Sequence, residues 1–341
     1  MLVPVNLMRE MMRIGLVLGV VGLLLYGPAN ADYAGREDVQ AYIDELVSEH
    51  GFSKIELNEV FENAKRRQSI IDRMERPAER TLKWYEYRSN FITDTRIDKG
   101  VEFWASNEAA LDAAEAHYNV SPEYIVAILG IETSFGGYMG SDRVLDALST
   151  LAFDYPPRAE FFRNELTEFL LLVREEGRKP EELKGSYAGA MGYGQFIPSS
   201  YRAYAVDFDG DGLRDIWHNT TDAIGSVANY FHKHGWRGHG PVAVKVAVTN
   251  EAADELANQG LALEVTVSDL RSLGVEVADI EGDAKAALFR MEQRDGPEYW
   301  VGLHDFYVIT RYNRSRLYAL AVHQLSQTIK TKRSVSMTTD L

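Results

Sequence analysis

Glu132 is the first residue whose placement invites a chemical reading. Ser121-Pro122-Glu123-Tyr124 supplies a serine N-cap, a proline at the first helical position and a glutamate in the first turn, which together announce a helix. Its apolar stripe is Ile125, Ile128 and Leu129, and the next position at three- or four-residue spacing is Glu132. The spacing predicts an inward-facing carboxyl group in the last turn before Gly136-Gly137. Burial and the negative end of the helix dipole both favour the neutral acid, as a general acid working near neutrality requires. The competing reading is a partly exposed glutamate at a frayed helix end.

A glycine-rich stretch follows, Gly185 to Phe196, with Gly189, Gly192 and Gly194 between Tyr187, Tyr193 and Phe196. It has no Gly-Lys-Ser/Thr, and Gly192-x-Gly194 lacks both a third glycine and a preceding apolar strand, so a nucleotide loop is disfavoured. Glycines that admit a ligand to the backbone, aromatic faces that stack on pyranose rings and the polar Ser186 and Gln195 suit a sugar groove. A plain flexible loop is the alternative. Further on, Asp207-Phe208-Asp209-Gly210-Asp211-Gly212 matches the first six positions of an EF-hand loop, with carboxylates at positions 1, 3 and 5. Position 12 is His218 instead of a bidentate glutamate. Asp215 and Asp222 are substitute oxygen donors, and Leu213 can offer its carbonyl. A solvated acidic turn is the competing reading, though three alternating aspartates repel one another without a cation.

These residues need elements to hold them. Apolar residues recur at helical spacing from Glu37 to about His117, interrupted by the cluster Trp84, Tyr85, Tyr87 and Phe91, and again from Ser121 to about His234. Pro198 to Val206 reads as a helix before the acidic loop, and Thr221 as the cap of one after it. Between about Pro241 and Val301 the texture changes. Val242, Val244, Val246 and Val248 alternate with other residues, as do Leu263, Val265 and Val267, which predicts a small inserted β-rich unit. Tyr318 to Ile329 suits one returning helix. The fold class expected is mainly α (α+β).

Composition narrows the function classes. The chain has 341 residues, is 45% hydrophobic, carries a net charge of −15 and contains no cysteine. Its apolar content is ample for packed cores, and its charge repels nucleic acid and anionic lipid. Thiolate catalysis, disulfides, Cys-ligated zinc and lipid attachment through a cysteine are excluded. Arg9 and Arg13 before the apolar run Ile14 to Tyr26, then Pro28-Ala29-Asn30-Ala31, read as a cleavable signal peptide, residues 1–31. The run falls short of the roughly 20 residues that span a bilayer. Export without disulfides points to a soluble protein of a bacterial periplasm, with no membrane anchor.

Taken together, Glu132-Thr133-Ser134-Phe135-Gly136, the Ser186 to Ser200 stretch, Asp207 to Gly212 followed by Asp222 to Tyr230, and Tyr312-Asn313 resemble the lytic murein transglycosylase B family, in the family's order. The resemblance covers most of the chain after residue 31. It implies a lysozyme-like helical core (116–240), a flanking helical domain (32–115), a small β domain (241–302) and a returning segment (303–341), acting on the glycan strands of peptidoglycan. By residue matching it implies Glu132 as acid/base and Tyr87, Ser186, Gln195, Tyr230, Tyr312, Asn313 and Tyr318 as groove residues. It likewise implies Asp207, Asp209, Asp211, Leu213 and Asp222 as ligands of a structural Ca2+. The segment Trp217 to Asp222 is one residue longer than the family's. The absence of Cys matches its soluble members. The expected reaction cleaves the β-1,4 bond between N-acetylmuramic acid and N-acetylglucosamine with formation of 1,6-anhydromuramyl ends. A hydrolase of the same strands and a non-catalytic peptidoglycan-binding protein are the alternatives.

Overall fold

The computed structural model describes residues 32–75, 82–238 and 240–339. The signal-peptide reading of residues 1–31 therefore lies outside the described residues. The first part of the chain is helical, as the periodicity predicts: α1 (Glu37–His50), α2 (Lys54–Asn63), α3 (Gln68–Glu75), α4 (Trp84–Phe91), α5 (Asp94–Ser106) and α6 (Glu108–Tyr118). The middle contains α7 (Pro122–Thr133), β1 (Asp142–Arg143), α8 (Val144–Asp154), α9 (Ala159–Glu175), β2 (Lys184–Gly185), α10 (Pro198–Tyr204) and α11 (Thr220–Lys233). There follow β3 (Ala243–Val246), α12 (Glu251–Leu256), β4 (Val265–Thr266), α13 (Val267–Ser272), β5 (Lys285–Gln293) and β6 (Gly296–Gly302). Two helices close the chain, α14 (His304–Tyr312) and α15 (Arg316–Thr339).

Helix α7 is the axis of the larger core. Every residue from Pro122 to Thr133 is buried except Glu132, so the helix is enclosed on all sides rather than along one stripe. Its partner is α15, which runs back along it: Tyr318 meets Glu132 near one end, and Lys330 Nζ meets Glu123 Oε1 at 2.7 Å near the other. The returning helix is thus longer than the Tyr318–Ile329 segment read from the sequence, and a second helix, α14, precedes it. Past Ile329 the helix is mostly exposed, and it is tied down by Lys332 on Asp98 of α5 and Arg333 on Glu108 of α6.

The β-rich unit forms a four-stranded antiparallel sheet in the order β3-β6-β5-β4. Val244 pairs with Val301 and Leu288 with Val301 on the other side, so alternate residues line a separate small core with Val246, Val267, Leu270 and Leu303. One expectation changes here. The alternation Leu263, Val265, Val267 supports only a two-residue strand, because Thr266 and Asp269 form a capping box and turn the chain into α13. β5 and β6 join through the two-residue turn Arg294-Asp295. A further two-stranded pairing, Asp142 with Gly185 and Arg143 with Lys184, brings the segment after α7 beside the glycine-rich stretch.

Candidate active site

Glu132 departs from its expected environment in a useful way. The amphipathic reading placed it inward, but it is the one residue of α7 that reaches partial exposure, at the point where the helix runs out of the core. Tyr318, almost fully buried on α15, donates its phenol to Glu132 Oε1 at 2.5 Å. Burial first, and then the charge of Glu132, pushes Tyr318 and Tyr312 well above the ordinary phenol range, so both remain protonated donors. The Tyr312 ring lies parallel to that of Tyr318 at 6.5 Å and 9°, and its hydroxyl donates to Gly194 O at 2.5 Å. A Cβ on Gly194 would come within 2.8 Å of that hydroxyl, so the position admits no larger residue without displacing Tyr312.

The turn after Glu132 is tightly built. Ser134, Phe135 and Gly136 all have positive φ, 51°, 61° and 84°, a backbone conformation that costs non-glycine residues energy and that concentrates at functional sites. Phe135 tolerates it because its ring is clamped against Phe103 at 5.3 Å. Gly136 cannot be replaced cheaply, since a Cβ there would lie 2.4 Å from the Tyr193 ring. Thr133 stitches the turn to the glycine-rich stretch: Gly136 N donates to its Oγ1 at 2.9 Å, and Oγ1 lies 2.9 Å from Tyr193 O. Sequence reasoning missed Thr133. Its only signal was its place next to Glu132.

The glycine-rich stretch is a braced wall. Ser186 Oγ accepts from Ala188 N and Ala190 N at 3.3 and 3.0 Å and donates to none of the described residues. Gln195, itself at φ 51°, donates from Nε2 to Gly192 O and Met139 O at 2.9 and 3.2 Å, which leaves its side-chain oxygen for other donors. Asn313 caps the C-terminus of α14, is exposed and has a side chain bonded to no described residue. Tyr87 is buried on α4, 5.0 Å from Phe91. Tyr230 stands further back. Its hydroxyl donates to Arg311 O at 2.6 Å, and its ring stacks on His234 at 4.0 Å and packs against Tyr312 at 4.7 Å, so it supports Tyr312 from behind.

The acidic loop lies at the N-terminal end of α11. One oxygen each of Asp207, Asp209 and Asp211 falls within 4.8 Å of the others. Asp207 accepts from Gly210 N and Asp211 N through Oδ1 and from Gly212 N through Oδ2, and Asp211 Oδ1 accepts from Leu213 N. The remaining expected ligands are placed differently. Leu213 is exposed with its N–H taken by Asp211. Asp222 is fully buried, with Oδ1 accepting from Phe208 N and Oδ2 from Asp215 N, both at 2.8 Å. Burial pushes the Asp222 carboxyl up, and the nearby Asp209 and Asp207 charges push it the same way. The cap of α11 is Asn219 rather than Thr221: its Oδ1 accepts from Thr221 N and Asp222 N while its Nδ2 donates to Asp209 Oδ2 at 2.7 Å. The three converging carboxylates are hard oxygen donors of the kind that suits a divalent cation such as calcium.

Similarity to known proteins runs along nearly the whole chain. The family described as Transglycosylase SLT domain matches residues 34–327. A membrane-bound lytic murein transglycosylase B of Escherichia coli K12 is 46% identical over 308 residues, 87% of this chain and 84% of that protein. The soluble lytic transglycosylase SltB1 of Pseudomonas aeruginosa superimposes with a TM-score of 0.84 at 50% identity, covering 87% of this chain and 99% of that one. Escherichia coli Slt35, solved in complex with calcium, superimposes with a TM-score of 0.82 at 45% identity over 89% and 96% of the two chains.

Proposed function

This chain belongs to the lytic murein transglycosylase B family and is a lytic transglycosylase, and we propose that Glu132 is its single acid/base. The observation that carries this reading is the Tyr318–Glu132 hydrogen bond at the one opening of α7. Tyr318 holds Oε1 and so orients the carboxyl group. Glu132 then protonates the oxygen between N-acetylmuramic acid and N-acetylglucosamine, the glycosidic C–O bond breaks and the glucosamine-side sugar leaves with that proton. Positive charge at the muramyl anomeric carbon is met by the carbonyl oxygen of the muramyl N-acetyl group, a substrate-assisted exception to the two-carboxylate scheme. The groups assigned to the groove, Ser186, Gln195, Tyr312 and Asn313, are neutral, and Ser186 and Asn313 have hydrogen-bonding capacity left to orient that amide.

In the second half Glu132, now a carboxylate, takes the proton of the muramyl 6-hydroxyl, whose oxygen attacks C1 and expels the acetamido oxygen. The ring closes to a 1,6-anhydro sugar and Glu132 is again the acid. Holding the 6-hydroxyl near C1 gives closure an effective-molarity advantage over water. Mass spectrometry of digested murein tests the reading: products should be one water lighter than hydrolytic ones and resist borohydride. Reducing ends as the main product would overturn it.

Around this centre the same reading assigns Tyr87 and Tyr230 to the groove wall, residues 116–240 with 303–341 to the catalytic core, 32–115 to a helical domain and 241–302 to a small β domain. Asp207, Asp209 and Asp211 would hold a structural calcium ion, with the Leu213 carbonyl and Asp222 as the further expected ligands. Calcium there would neutralise the loop between α10 and α11, away from the reaction. The Arg9–Ala31 pattern supports export to the periplasm, and no helix among the described residues is long and apolar enough to cross a membrane. N-terminal sequencing of secreted material should find Asp32 first.

A further inference from the structure

The small β unit contributes none of the groove residues assigned above, yet it grips the helix that carries one of them, Tyr87. That helix, α4, has only eight residues, too few to be stable alone, so its place is set by what it is fastened to. At its C-terminal end Arg96 of α5 donates to Asn90 O at 2.5 Å. Midway, Arg88 Nε donates to Gln324 Oε1 of α15 at 2.7 Å, and the Arg294 guanidinium from the β5–β6 turn lies 5.3 Å from the centre of the Tyr85 ring. Arg88, Asn90 and Arg294 are exposed, so water competes for these ties. The first residue of α4 is held differently. Trp84 is 1% exposed, and its Nε1 donates to Glu298 Oε1 of β6 at 2.9 Å, across 214 positions of sequence.

Glu298 is itself fixed from several sides. Oε1 also accepts from Trp300 Nε1 at 3.0 Å, and Oε2 pairs with Lys245 Nζ of β3 at 2.8 Å. Burial opposes its ionisation, but hydrogen bonds from Lys245, Trp300 and Gln293 outweigh it and hold the carboxyl below the usual carboxylate range. Both oxygens therefore stay acceptors. A surface ion pair alone would do little here, whereas a buried indole N–H deprived of its acceptor is costly to leave unpaired. Without Glu298 the start of α4 must shift until Trp84 finds water. Tyr87 follows Trp84 by three residues on the same buried face, so its ring moves with it. The movement matters because α4 packs on α15, which carries Tyr318. Burial and Glu132 dominate the upward push on the Tyr318 phenol, and ionisation of Tyr87 would add to it, so the two phenols stand within electrostatic reach of each other.

We propose that Glu298 is a positioning residue of the reaction: through Trp84 it sets the place of α4 and so presents Tyr87 to the sugar in the cleft. The inference rests on the groove reading of Tyr87 given above, and it gives the β unit a part in turnover at one remove.

The test is a double-mutant cycle on kcat/KM for soluble murein fragments, crossing Glu298→Ala with Tyr87→Ala. Glu298→Ala should lose about tenfold in the parent background, divided between kcat and KM as in Tyr87→Ala, and less than about twofold once Tyr87 is already alanine. Glu298→Gln keeps an acceptor for the two indoles and should return to within about threefold of the parent. A purely structural Glu298 would cost the same factor in both backgrounds. That outcome, or no loss in the parent background, overturns the proposal. Assays are run where the near-ultraviolet circular dichroism of each variant shows a folded protein. If Glu298→Ala does not fold, Trp84→Phe, which removes the indole N–H and keeps an aromatic ring, takes its place in the cycle with the same two outcomes. Failure of the underlying reading is separable. If Tyr87→Ala alone matches the parent, the groove reading of Tyr87 fails and the proposal falls with it; if Tyr87→Ala is impaired and the Glu298 loss still multiplies, only the positioning role is overturned.

Discussion

At the end of α7 one carboxyl group has the phenol of Tyr318 on one oxygen, with Tyr312 stacked beyond it. At residues 207–211 three carboxylates converge within 4.8 Å, and most of their hydrogen bonds come from their own loop. In the first region a phenol that keeps its proton holds the carboxyl group. In the second the charges oppose one another, an arrangement that a cation would relieve. A single carboxyl group oriented by a neutral donor suits proton transfer, whereas several crowded together suit a metal.

Glu132→Gln should separate the two regions most sharply. It removes the proton carrier but keeps the shape, so turnover of murein should fall by about a thousandfold or more while the calcium-dependent melting shift remains. Residual activity near the parent's would break the assignment of Glu132 to catalysis.

A smaller effect belongs to the seam between α7 and α15. His323 lies between Tyr124 and Trp300, and burial pulls its imidazole down to about 4 from the usual 6.5. The folded protein therefore refuses a proton that the unfolded chain accepts. Stability from this group is fully present above pH 6.5 and is lost as pH falls toward 4, by about 3 kcal/mol at most. Chemical denaturation at pH 7 and pH 4.5 checks the sign, and His323→Phe should flatten that part of the profile. A parent protein more stable at the lower pH would contradict it.

Calcium should raise stability by about 2.7 kcal/mol when free ion is 100 times Kd and binds only the folded state. Asp209→Ala should remove that gain and leave murein turnover in excess calcium largely intact. A melting temperature indifferent to calcium and to chelator would return the loop to a solvated turn. The smallest change is Tyr318→Phe, which keeps the ring stack and deletes the hydroxyl on Glu132. Activity should fall about thirtyfold, close to 2 kcal/mol, with a shifted acid limb in the pH–rate profile. An unaltered profile would make Tyr318 a packing residue only.

Much of this was legible from residue order. The Ser121-Pro122 start of α7, the Glu132 position, the glycine-rich wall and the Asp207–Gly212 loop are short-range patterns, and each depends on backbone chemistry within a few residues. The burial of α7 on every side was not legible, because Tyr124, Val126 and Ile131 are equally consistent with a one-sided helix until α15 and α5 are packed against it. Helix α14 went unread beside the sheet, and the Leu263–Val267 alternation concealed the capping box of α13.

What the sequence by itself determined is therefore the set of reactive types and their local settings: a carboxyl group at a helix end, aspartates at alternating positions, glycines where the backbone must turn. Only the tertiary structure decided what each carboxylate meets. Tyr318 lies 186 residues from Glu132, and Asp222 turns both oxygens inward to Phe208 and Asp215 instead of standing beside Asp207. The reason is physical. A hydrogen bond or a charge acts over a few ångströms of space, and the packing of α15 against α7 and of α11 against the loop sets which groups share those ångströms.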